Sequence, residues 1–151
     1  MKDFICAAIA CIGSIIAGLF GGWDTGMATL LIFMAIDYIS GFIVASVFHN
    51  SPKSANGTLE SRAGWKGLCR KFITLIFVLI GHRLDLVFGS NYIRDVVCIF
   101  FIANELVSIV ENAGLMGIPI PPAITESIEV LREHAEEKPT DTAPAENNTD
   151  K

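Results

Sequence analysis

Residues 26–48 read GMATLLIFMAIDYISGFIVASVF. At about 1.5 Å per residue, a helix of this length covers roughly 35 Å, enough to cross a hydrocarbon layer about 30 Å thick. The stretch holds one carboxylate, Asp37, near its middle. A carboxylate at mid-bilayer costs about 2.5–3.5 kcal/mol on insertion scales, so Asp37 should face protein or water. Two roles fit it. One is a lining or inter-subunit residue of an assembly. The other is a neutral carboxyl bonded to a neighbouring helix, with Tyr38 at hand to help satisfy it.

The surrounding chain repeats the pattern. Of 151 residues, 52% are hydrophobic and 18% charged, and the mean hydropathy is +0.52. An ordinary soluble domain carries about 25% charged residues. So many apolar side chains exceed what one small core can bury, and lipid is the solvent that takes the rest. Upstream, Phe4 to Phe20 forms a first apolar run, followed by the break Gly21-Gly22-Trp23-Asp24-Thr25. A cleaved signal peptide fits that run poorly, because Asp3 spoils the basic start and no A-x-A site follows. Downstream, apolar runs cover 72–88 and 93–110. The expected fold is therefore all-α: a membrane-embedded bundle of three to four transmembrane helices over residues 1–113. Its helices are expected at about 4–20, 26–48, 72–88 and 93–110. A Pro/Gly linker and short amphipathic helix should occupy 114–138, and a disordered acidic tail 139–151.

Charge fixes an expected orientation. The loop 49–71 holds Lys53, Arg62, Lys66, Arg70 and Lys71, the densest basic cluster in the chain. The positive-inside rule places it in the cytoplasm, and the same residues can meet anionic lipid head groups. The turn at 21–25 has no Lys or Arg and should lie outside, with the N-terminus inside. The net charge of −5 belongs to the end of the chain: residues from Glu126 onward hold eight acids and three bases, while 1–125 are balanced. No basic footprint for nucleic acid exists in the body.

The fourth run is striped rather than uniformly apolar. Arg94, Cys98, Glu105, Ser108 and Asn112 follow helical spacing, with Asp95, Asn104 and Glu111 beside them. Such a stripe can turn inward in a spanning helix or hold a helix flat on the membrane surface. On the first helix, Ala10, Ser14 and Gly18 recur every four residues, spacing that lets helix backbones approach closely, within one copy or between copies. His82, Arg83 and Asp85 lack a nucleophile, a metal-site motif or a phosphate loop around them, and read as caps of a helix end. The four cysteines have no metal-ligand spacing. No enzyme, cofactor or metal is expected.

Taken in order, these features resemble the phage-lysis and toxin-secretion holins of Gram-positive bacteria and their phages. The resemblance covers roughly residues 20–132. It rests on Gly22-Trp23-Asp24, on Asp37-Tyr38-Ile39-Ser40-Gly41, and on the basic segment from Ser61 to Lys71. It continues through Leu84-Asp85, Asn104 to Asn112, and Gly117-Ile118-Pro119-Ile120-Pro121. The resemblance implies a multi-pass protein of the host cytoplasmic membrane, usually with about three membrane segments. Such a protein is non-enzymatic, oligomerises with itself, and opens timed lesions through which an endolysin or toxin leaves the cell. Asp37, Asn104, Glu105 and Ser108 are then candidates for lining the lesion or the seams between helices. Two other readings compete: a small transporter or channel built around Asp37, and an antiholin or membrane anchor for a soluble partner.

Overall fold

The computed structural model describes residues 1–49, 52 and 61–136. Among them the chain is all-helical: α1 (Lys2–Leu19), α2 (Thr25–Ile43) continuing into a π-helical turn (Val44–Phe48), α3 (Ser61–Phe88), α4 (Ile93–Leu115) and α5 (Pro122–Glu136). Among the described residues two stretches are long and apolar enough to cross a membrane, Lys2–Leu19 and Thr25–Phe48. The segment expected as a disordered tail, and Lys53, lie outside the described residues.

Helix α3 begins eleven residues earlier than the expected start at 72. Its first turns are not loop, because Arg62, Lys66 and Arg70 recur every four residues and lie together on an exposed face. The opposite stripe, Gly67, Lys71, Thr74, Val78, Gly81 and Asp85, steps by threes and fours into the bundle. Helix α4 runs to Leu115, one turn beyond the expected end.

Helix α4 is the central element and packs against α2, α3 and α5. Side-chain pairs give the directions. Arg94 meets Asp24 and Asn112 meets Ser40, so α2 and α4 run parallel. Arg94 meets Asp85 and Glu105 meets Lys71, so α3 and α4 run antiparallel. The apolar core is Met27, Leu30, Met34, Val78, Cys98 and Ile102, with Leu30 and Val78 fully buried. Gly81 permits a close approach of α3 to α4: a Cβ there would stand 3.1 Å from the Arg94 Cα. At the end of α1, Gly21 takes φ +81 with the His82 ring against it, so the α1–α2 turn rests on α3.

Beside this apolar core, the distribution of side chains departs from that of a water-soluble domain. Asp37, Ser40, Thr74, Asp85, Arg94, Glu105 and Asn112 are buried, while Ile32, Ile39, Phe72, Ile73, Phe77 and Val87 are exposed. Helix α1 buries none of its residues and shows Phe4, Ile9, Ile12 and Ile15 outward. Exposed apolar area on this scale marks a surface that meets lipid or another chain.

Helix α5 folds back along α4 after the turn at Gly117 (φ +74). Ile128 is buried, and Leu131 packs on the central core that contains Met34 and Ile102. Its other side is polar, with Glu126, Glu129, Arg132 and Glu133 exposed.

Candidate functional site

Two polar clusters stitch α2, α3 and α4 together. In the first, the Lys71 ammonium donates to Asp37 Oδ2 at 2.8 Å and to Glu105 Oε2 at 2.5 Å. One side chain of α3 thus joins a carboxylate from each neighbouring helix. Asn112 Nδ2 donates to Asp37 Oδ1 at 3.1 Å and to Ser40 Oγ at 2.9 Å. Ser40 Oγ in turn donates to the Asp37 carbonyl at 3.1 Å. Asp37, Lys71 and Glu105 have side chains only 9–13% exposed. Buried charges persist only when paired and hydrogen-bonded, and this cluster meets both conditions.

The second cluster ties the other end of the bundle. Asp24 caps α2, accepting from the Met27 amide at 2.8 Å. Arg94 Nη1 donates to Asp24 Oδ2, and Nη2 reaches the Gly22 carbonyl at 3.4 Å. The Asp85 carboxylate caps α4 from α3: it accepts from the Ile93 amide at 3.0 Å, the Arg94 amide at 2.9 Å and Ser90 Oγ at 2.6 Å. Orphan amides at a helix start are thereby satisfied by a carboxylate eight or nine residues upstream. The hydrogen bond from Arg94 holds the Asp24 carboxyl below its ordinary value of 3.8. Arg94 Nε is buried with no hydrogen-bond partner among the described residues.

A groove of about 800 Å³ opens beside the first cluster. Asp37, Asn104, Glu105 and Ser108, the four residues singled out for lesion or seam lining, all border it, with Lys71 and Tyr38. Exposed Lys66 and Arg70 border it as well. Arg62 stands exposed on the first turn of α3. Lys71 differs from the other basic residues: expected in a polar loop among head groups, it is inside α3 and engaged by Asp37 and Glu105. Ala10, Ser14 and Gly18 are exposed on α1 and meet no other helix closely enough to be buried. The Lys71 bridge was missed because a basic residue after Arg70 reads as loop charge. The signal that finds it is the three-and-four spacing through Gly67, Lys71, Thr74 and Val78.

Comparison with known proteins places this architecture. The model of the bacteriophage holin family matches residues 14–133. The uncharacterized protein Lmo0128 of Listeria monocytogenes is 38% identical over 117 residues, 77% of this chain and 78% of that one. Lin0175 of Listeria innocua is 36% identical over 129 residues, 85% and 86% of the two chains. YqxH of Bacillus subtilis is 31% identical over 134 residues, 88% of this chain and 84% of its own. No solved structure matches. With a family match across most of its length and two helices apolar enough to enter lipid, the chain is a membrane protein that belongs to the bacteriophage holin family.

Proposed function

We propose that this protein is a holin: it spans the bacterial cytoplasmic membrane several times, oligomerises, and opens a timed lesion that releases endolysin or a toxin to the wall. The observation that carries the reading is a small bundle with paired charges buried beside its apolar core and many large apolar side chains on its outside. In this reading α3 and α4 join α1 and α2 as membrane segments. Their charges enter lipid because Lys71 is held by Asp37 and Glu105, and Arg94 by Asp24. Unpaired, each would cost about 2.5–3.5 kcal/mol at mid-membrane.

The same pairs give a route to opening. Within a lipid-embedded cluster of copies they satisfy one another. When copies part and water enters, the groove bordered by Asp37, Asn104, Glu105 and Ser108 can line the lesion or the seams between copies without leaving a charge in hydrocarbon. The exposed small-residue stripe Ala10, Ser14 and Gly18 offers α1 as a packing face for a second copy. In this reading Arg62 and Lys66, toward the start of α3, would meet anionic head groups of the inner leaflet, and Arg70, next to Lys71, would extend toward them along the groove. No catalytic step is part of this function; the endolysin supplies the chemistry and needs no direct contact with the chain.

Reconstitution tests the reading. Full-length protein in phosphatidylglycerol-containing vesicles should release an entrapped folded protein of endolysin size. Retention of the protein with leakage only of small ions would favour a channel or transporter, and no leakage at confirmed insertion would favour an antiholin or anchor.

A further inference from the structure

The outer surface of the bundle is not uniform. On α2 and on the part of α3 beyond its basic first turns it is mainly apolar, with Ile32, Ile39, Phe72, Ile73 and Phe77 each at least half exposed and Arg83 the exposed charge there. On α5 it is mainly charged, with Glu126, Glu129, Arg132 and Glu133 exposed around one half-exposed apolar side chain, Val130. Leu131 of α5 packs on the central core, so Glu129, Arg132 and Glu133 stand near mid-height of the bundle, not beyond its end. Lipid around all sides would therefore meet carboxylates and a guanidinium at the depth where hydrocarbon is thickest. Helix α5 is nevertheless well seated, with Ile128 8% exposed.

We propose that α5 is the water side of the membrane assembly. It stays seated on α4 and turns Glu126, Glu129, Arg132 and Glu133 toward the aqueous interior, while α2 and α3 carry the lipid contact. This rests on the lesion reading above and adds which face looks inward; the groove between α2 and α3 then lies in the seams between copies, not on the open lumen. A copy alone in lipid has no favourable place for this face, so the face itself drives assembly. With four exposed carboxylates, Glu126, Glu129, Glu133 and Glu136, against the Arg132 guanidinium, the α5 faces of neighbouring copies repel and keep water between them instead of closing dry.

Site-directed spin labelling tests this. The full-length chain carries Ala at Cys6, Cys11 and Cys69, and retains buried Cys98. Single labels are placed through Glu133→Cys, Glu126→Cys and Phe77→Cys, and a distance pair through Glu133→Cys with Phe100→Cys. In vesicles, positions 133 and 126 should be severalfold more accessible to a water-soluble nickel chelate than to oxygen, position 77 the reverse, and the 100–133 distance should match the structure. Oxygen-favoured labels at 133 and 126 would place α5 in lipid and overturn the proposal. Nickel-favoured labels with a widened 100–133 distance would show α5 released into bulk water and overturn it equally. Dye release from the same vesicles is read separately. The expected label pattern without release supports the hydrated α5 face and removes the lesion reading, whereas release without the pattern removes only the α5 proposal.

Discussion

Lys71 joins two carboxylates from different helices, and its worth lies in what its loss would leave behind. Removing one partner of a buried charge cluster strands the others without water. Lys71→Met should therefore destabilise the bundle by about 3–5 kcal/mol, read as a lowered thermal midpoint in detergent. Adding Asp37→Asn and Glu105→Gln should recover most of that loss, because amides tolerate burial that unpaired carboxylates do not. A Lys71→Met midpoint equal to that of the parent would show that the three groups do not depend on one another. In cells, Asp37→Asn and Glu105→Gln should each shift the time of lysis at equal expression; unchanged timing would remove both from the lesion and its seams. Asp24 gives a pH signature. Its carboxyl is held low by Arg94, so the folded state binds that proton less readily than the unfolded chain. The contribution is full above the ordinary value of 3.8 and is lost as pH falls toward the lowered one. Asp24→Asn should flatten that part of the acid limb of a stability-against-pH curve, leaving the neutral side offset but parallel.

At the scale of elements, α2 was legible from its run of apolar residues, and the polar stripe of α4 from its spacing, which left open whether the stripe turns inward or lies on the membrane surface. Arg94, Cys98, Glu105 and Asn112 are indeed buried against α2 and α3, while Asn104, Asp95 and Glu111 beside them are exposed. The start of α3 was not legible, because five basic residues between 53 and 71 read as one polar loop. Hydropathy cannot separate a loop from a helix whose charges lie on one face and whose single inward lysine finds partners on other helices. The partners themselves were also beyond the sequence: nothing local to Lys71 points to positions 34 residues away on either side. Gly81 is a further case, a glycine inside an apolar run whose reason is the Arg94 backbone beside it. Gly81→Val should push α3 from α4 and destabilise by about 1–3 kcal/mol, measured by thermal unfolding. No loss at all would mean that the two helices can separate freely at this point.

Over the whole molecule, the combination of paired charges inside and large apolar side chains outside decides more than any single residue. A chain with Asp37, Arg94 and Glu105 inside and Phe72, Phe77 and Ile39 outside is poorly suited to water alone. It is suited to lipid as long as its interior charges stay paired, and to water once copies part along their polar sides. That dual fitness is what a lesion-forming protein requires, and it was foreshadowed by the excess of apolar residues and by their interruption at regular polar positions. The charged outer side of α5, seated against the core, was not foreshadowed, since sequence assigns a short amphipathic helix no place in the bundle. The most direct measurement is expression of the chain in a bacterium with and without a cytoplasmic endolysin, following membrane potential and culture turbidity. Abrupt depolarisation is expected in both cultures, with clearing only where the endolysin is present. Steady growth with an intact potential, given confirmed insertion in the membrane, would contradict it.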